Sequence, residues 1–388
     1  MKIQKAFILL ALSVVMTIPL SAQSKDQKKE STNAIKFENL IQLKATTVKS
    51  QDRTGTCWDF ATTSFLESEL LRTGKGEFDL SEMYTVRHTY PRKAETYLRY
   101  HGLNNLAQGG QAHDVINTWR EFGIVPDEVY PGFQLGYNTH NHAELEAAVK
   151  AFTDVVMARK TGTITPVWEK ALGGILDAYL GDDPTSFEYK GKTYTPKSFA
   201  DELGLNPDDY IEFTSYGVYP MWEKVNVEVP DNWANGLYYN VPLDDFMNIM
   251  YNSLEKGYTV AWDGDVSDKY CSTTAGAAIV PTDEYNEANG SIVDFLKQLH
   301  KQRPIDQKER DQAFYVYQTT DDHLMHLTGV AKDQNGAKYF LTKNSHGTAR
   351  GFDGYLYMSD SFVRLRTIAI MVHKDAVPTA IKTKLGIK

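Results

Sequence analysis

At 388 residues, 42% hydrophobic and 23% charged, the chain has the makeup of a soluble globular protein long enough for one large domain or two. Its net charge of −9 argues against nucleic acid as a partner, since a polyanion is met by basic surface. Two cysteines, Cys57 and Cys271, allow one disulfide at most, and the surroundings of Cys57 argue for a nucleophile instead.

Met1 to Ala22 reads as a secretory signal. Lys2 and Lys5 supply the positive start, Ala6 to Leu20 is apolar, and Ser21-Ala22-Gln23 puts small residues at the cut. The apolar stretch is short for a membrane span, so no stable anchor is expected. Export to a periplasmic or extracellular space follows. Residues 23–43 are polar and charged and read as a flexible lead-in to a domain over 44–375, with a tail over 376–388.

The run Phe60 to Leu71 reads as an amphipathic helix that starts at Cys57 and ends at the turn Thr73-Gly74-Lys75-Gly76. Further helices are predicted from Asp79 to about Tyr100, from Asp114 to Phe122, from His142 onward, and over Val167–Leu180. A hairpin around Gly191 spans Phe187–Tyr194, a helix Pro242–Lys256, and a buried strand Tyr258–Trp262. In the last third, Leu324–Val330 and Ala337–Thr342 read as strands on either side of the turn Asp333–Gly336. Gly354–Met358 and Arg366–Val372 add two more. Helices first and strands last give an α+β order.

Chemistry concentrates at Gln51-Asp-Arg-Thr-Gly55-Thr-Cys57-Trp58. A cysteine at a helix N-terminus meets the positive end of the helix dipole, which favours a thiolate. Gln51 is placed to fold back and offer its amide where an oxyanion would develop. A thiol nucleophile also needs a base that later serves as an acid, and histidine suits both tasks. Asp322-His323 opens a strand, and His326, three residues on, falls on the other strand face, so only one of the two can look at Cys57. Asn344, just after the paired strand, could accept the second ring N–H of His323 and fix its tautomer.

Gln51, Cys57-Trp58, Asp322-His323 and Asn344-Ser345 resemble, in order, the glutamine, cysteine, histidine and asparagine of papain-like cysteine peptidases. Gly109-Gly110 resembles that family's substrate-binding glycine pair, whose backbone pairs with the bound peptide. Gly347 through Gly354-Tyr355 is similar to the glycine-rich return after the asparagine. The separation of Cys57 from His323 far exceeds the roughly 130–150 residues of papain and the cathepsins, which points to the bleomycin hydrolase and aminopeptidase C branch. Stretches such as Gly123-Ile-Val-Pro126, Thr195-Pro196, Asn240-Val-Pro242 and Trp262 to Val266 agree with that branch.

The resemblance implies a papain-like fold with a helical half, a β-rich half and the active site between them, plus a helical insertion over roughly 135–235. It implies hydrolysis of peptide bonds, most simply as an aminopeptidase, with no metal or organic cofactor, and self-association, so a homo-oligomer stays open. A papain-like endopeptidase with an open cleft, and a peptide-binding relic without activity, are the alternatives. Two features depart from the pattern. His346 stands where a tryptophan usually shields the histidine–asparagine bond, and few residues follow His373 to form the arm that enters the cleft in this branch. The loop Asp263–Asp268 faintly resembles a calcium loop but lacks its sixth-position glycine and twelfth-position glutamate, and reads as a strand-end loop near the cleft.

Overall fold

The helix α1 (Cys57–Arg72) runs through the middle of the protein, and every residue from Cys57 to Leu70 is buried. It is therefore not the amphipathic helix expected: its polar positions face other elements instead of solvent. Glu67 accepts hydrogen bonds from Thr46 Oγ1 and Leu80 N, and Glu69 is bound by the Arg72 guanidinium. The computed structural model describes residues 33–133, 136–158 and 163–388, so the signal-peptide expectation lies outside the described residues.

On one side, α1 packs against α2 (Glu82–Arg99) and α3 (Ala112–Phe122). Ser81 caps α2 by accepting the Tyr84 N–H, and α3 opens with a capping box between Gln111 and Asp114. Helices α4 (Ala143–Met157) and α5 (Val167–Leu180) pair with each other and bury Leu145, Val149, Leu172, Leu176 and Leu180, a spacing of four that keeps one face inward. The hairpin β2 (Phe187–Tyr189) and β3 (Lys192–Tyr194) leads into α6 (Pro196–Leu203), which ends at Gly204 in the left-handed region.

Eleven strands form the second layer, ten of them in one path. In chain order these are β1 (Phe37–Gln42), β4 (Tyr210–Thr214), β5 (Lys224–Asn226), β6 (Leu237–Asn240) and β7 (Val260–Gly264). The rest are β8 (Cys271–Ser272), β9 (Ala277–Ala278), β10 (His323–Asp333), β11 (Lys338–Lys343), β12 (Tyr355–Ser359) and β13 (Thr367–His373). The order is β5-β6-β4-β13-β7-β10-β11-β12-β9-β8, with β1 added on β10. Side-chain alternation gives the sheet two faces. Ala261, Leu324 and Met371 join the core of the helical half, while Val260, Trp262, Met325, Leu327, Ile370 and Val372 pack on the other face with α7 (Leu243–Glu255). Short helices α8 (Ile292–Leu296), α9 (Gln307–Tyr315), α10 (Asp360–Arg366) and α11 (Thr379–Leu385) complete the chain.

Two expectations need correction. The lead-in is a strand from Phe37 to Gln42, because Phe37 stacks on Tyr357 and Ile41 reaches the sheet core. The block 135–235 is helical only in its first part; its later strands β4 and β5 extend the large sheet. Asn240 ties this extension down, donating from Nδ2 to the carbonyls of Tyr216, Tyr219 and Pro220. The C-terminal tail is helical over Thr379–Leu385; Ile381 is buried in the core on the sheet face away from α1, and Leu385 and Ile387 pack against it.

Candidate active site

Cys57 is the first residue of α1, and Thr56 before it supplies no side-chain cap. The Trp58 indole donates to the Gln108 carbonyl (3.0 Å), and Gly55 N donates to Gln108 Oε1 (2.7 Å), which ties the cysteine turn to the loop carrying Gly109-Gly110. His323 begins β10, and its Nε2 lies 2.8 Å from Asn344 Oδ1, which also accepts the Ser345 N–H (2.7 Å). Oδ1 is acceptor only, so Nε2 carries the proton and Nδ1 is left as the basic nitrogen.

Gln51 pairs through its backbone N–H with the Ser345 carbonyl (2.8 Å). Its Oε1 accepts from Ser345 Oγ (2.6 Å), and its Nε2 donates to Thr54 O (2.7 Å) and keeps a second N–H. Residues 50 and 346 form a bridge, so one short pairing locks Gln51, Asn344 and His346 together. The His346 ring lies parallel to that of His323, centroids 5.1 Å apart and planes 3° apart. It covers the histidine as the usual tryptophan would, with a smaller and more exposed ring. His326 faces α1 from inside the core, 3.0 Å from Ser64 Oγ.

Cys57 and His323 are both buried, to 9% and 6% exposure. Burial pushes the Cys57 thiol up to about 12; the Leu324 backbone N–H opposes the rise, and Asp231, Asp263 and Asp321 add to it. Burial pulls His323 down to about 4, against the Asn344 hydrogen bond. The expectation of a thiol lowered by the helix dipole thus fails for the isolated group, because loss of water and three nearby acids outweigh it. A lone charge on either residue is disfavoured, whereas a thiolate and an imidazolium formed by one proton transfer stabilise each other.

The profile of the Peptidase C1-like family matches residues 177–387. The chain belongs to that family. The Papain family cysteine protease profile matches residues 36–175, and the chain is a cysteine peptidase of papain-like, α+β fold. Aminopeptidase C of Lactococcus lactis subsp. cremoris is 24% identical over 365 residues, covering 84% of this chain and 80% of that protein. Aminopeptidase C of Listeria monocytogenes is 26% identical over 373 residues, with the same coverage of 84% and 80%. Among solved structures, PepW from Lactobacillus rhamnosis superposes with a TM-score of 0.70 at 20% identity, covering 90% of this chain and 84% of its own, and shares the fold.

Against that family background, His323, Asn344 and Gln51 are linked by hydrogen bonds that run through Ser345, and Cys57 at the start of α1 meets the backbone N–H of Leu324, the residue after His323 on β10. Gly109 and Gly110 line the approach from the α3 side, and a Cβ on Gly110 would come within 3.0 Å of the Trp58 ring. Three acids beside them have no role in the sequence reading: Asp231 and Asp321, and Asp263, which it places only in a strand-end loop near the cleft. A signal for two of these was present, since Asp321 adjoins the Asp322-His323 pair and Asp263 sits in a strand that is otherwise apolar. Asp231 left no local signal, because its neighbours in space are more than a hundred residues away in sequence. Cys57 and Cys271 are both free thiols.

Proposed function

We propose that this chain is an exported cysteine aminopeptidase working through Cys57, His323, Asn344 and Gln51. His323 Nδ1 takes the thiol proton as Cys57 Sγ attacks the peptide carbonyl. The Gln51 amide and the Cys57 backbone N–H receive the developing oxyanion. The imidazolium protonates the departing amine, the amine leaves, and His323 then activates the water that releases the acyl group. Asn344 holds the ring in the tautomer this needs.

The observation that carries the reading is the 2.8 Å contact between His323 Nε2 and Asn344 Oδ1 beside the start of α1. The relatives named Aminopeptidase C support the amine-end specificity, and the stretch Met1–Ala22 supports export. One peptide offered with a free and with an acetylated N-terminus, against a Cys57→Ala blank, tests the reaction by mass spectrometry. Stepwise loss of residues from the free form is expected. Equal internal cleavage of both forms would make the protein an endopeptidase, and no cleavage above the blank would leave a peptide-binding role. Export is tested by the mass of the protein recovered outside the cytoplasm, expected to lack residues 1–22.

A further inference from the structure

In this protein residues 379–387 are packed on the sheet face away from α1, so they do not supply a group to the cleft. The segment 229–236, between β5 and β6, lies at the glycine pair instead. A Cβ on Gly109 would collide with the Asp231 carboxylate, while the Cβ direction of its neighbour Gly110 points inward at Trp58 and Asp114. Asp231 therefore stands over the outward side of the backbone that an extended peptide would follow. Asn105 Nδ2 holds Asp231 Oδ1 at 2.7 Å, and Oδ2 is the oxygen nearest the Gly109 position. Trp233 anchors the same segment, its indole donating to Asp114 Oδ2 (2.9 Å).

Beneath this lies an independent observation. Asp263 is 3% exposed, and its carboxyl lies against that of Asp321, a contact two buried acids can make only by sharing a proton; Gln111 reaches the pair as well. In the β7–β10 register Asp263 sits opposite Leu324, on the same face as Ala261, and so projects toward α1 below Cys57. Gln111, next to Gly110, donates from Nε2 to Asp321 Oδ2 (2.8 Å). The carboxyls thus flank the stretch 109–111. Lys93 is the buried cation nearby; its Nζ donates to the Ala107 and Gly109 carbonyls, and its charge opposes those of Asp231 and Asp114. One cation among several buried carboxyls leaves an excess of acid that a second cation would neutralise.

We propose that Asp231, backed by Asp263 and Asp321, binds the free α-ammonium of the peptide substrate and fixes it against Gly109–Gly110. The inference rests on the aminopeptidase reading and names the group that enforces it.

The test compares kcat/KM on one peptide in three forms: free amine, N-acetylated, and des-amino with hydrogen in place of the amine. The wild-type protein is expected to prefer the free amine over both others, with KM rising above the ordinary amine pKa of about 8. Asp231→Asn, which keeps an oxygen for Asn105, is expected to cut the preference about 30-fold or more, mainly through KM, and to flatten that pH dependence. Asp263→Asn should reduce the preference by a smaller factor. Alkylation of Cys57 counts the folded sites in each variant, and Asp263→Asn carries the test if Asp231→Asn does not fold. A wild-type preference that both variants retain overturns the inference and leaves the aminopeptidase reading standing. Cleavage of the des-amino peptide as fast as the free one overturns charge recognition in favour of crowding. Equal cleavage of free and acetylated peptide by the wild type overturns both readings.

Discussion

Two buried polar regions flank the Cys57–His323 pair, and they are built on opposite terms. Behind the pair, Lys49 meets Glu82 Oε1 at 2.8 Å and Glu67 Oε1 at 3.6 Å, and also reaches the Leu80 carbonyl. Lys343 donates to Ser64 Oγ (2.7 Å) and Thr46 Oγ1 (3.1 Å), and Ser64 continues to His326. Glu67 and Glu82 there share a cation, while Asp59, buried beside them, holds only the Thr63 hydroxyl on Oδ1 and nothing on Oδ2. In front of the pair, Asp263 and Asp321 meet each other and Gln111 but no cation. The rear network carries its own cations, with only atoms such as Asp59 Oδ2 and His326 Nε2 left over, and rigidifies the floor of the site. The front cluster is incomplete by itself, which is what a binding site for a cation should look like before it binds.

That contrast can be broken at the rear first. Lys49→Met should destabilise the protein by about 3–5 kcal/mol, since it strands Glu67 and Glu82 in the interior. Urea unfolding would read it, and a loss below 1 kcal/mol would mean that the rear network is not held by its cation. At the reacting pair itself, Gln51→Ala is expected to lower kcat about 10²–10³-fold with little change in stability. An unchanged kcat in steady-state assays would remove Gln51 from the oxyanion site.

The front cluster predicts the opposite sign from the rear. Burial raises the Asp321 carboxyl to about 7, with the Asp231 charge adding to the rise. Its unfolded value is about 3.9, so between pH 4 and 7 the folded chain holds a proton that the unfolded chain has lost. Stability therefore falls as pH rises through that window and levels off above it. Asp321→Asn should remove this slope and make the protein more stable at pH 8 by about 1–3 kcal/mol, with little gain near pH 4. Unfolding curves at the two pH values decide the matter; a variant less stable at pH 8 would show that the carboxylate is paired in solution.

The smallest effect expected is at His346. Replacing its ring by alanine uncovers the His323–Asn344 contact and should lower kcat only a few-fold, about 0.5–1.5 kcal/mol in the barrier. His346→Trp should restore or raise it. Equal rates for all three residues would mean that the stacked ring shields nothing.

Much of the site could be read from the chain alone. Cys57 at a helix start follows from Gly55 and the helical run behind it, and the His323 and Asn344 strands are marked by alternation around the Asp333–Gly336 turn. The strand Phe37–Gln42 could not be read, because its polar outward residues Glu38 and Asn39 hide a ladder made with β10, nearly three hundred residues away. The burial of α1 on all sides was equally hidden: Thr62 and Thr63 turn their hydroxyls back onto Trp58 O and Asp59 Oδ1 of the helix itself, while Ser64 and Glu67 look solvent-facing until Lys343, Thr46 and Lys49 are brought alongside.

The amino-acid order by itself marked Cys57, His323, Asn344 and the pair Gly109-Gly110 as the candidate site, since each is a residue type held by local helix, strand or turn geometry. Only the tertiary structure decided which buried groups lie near one another and what burial does to their charge. A carboxylate's effect depends on what surrounds it: Asp231 stands over Gly109, Asp263 lies dry beneath Cys57, and residues 379–387 are held on the far face. Each of these is set by packing between segments distant in the chain, where desolvation outweighs any local propensity.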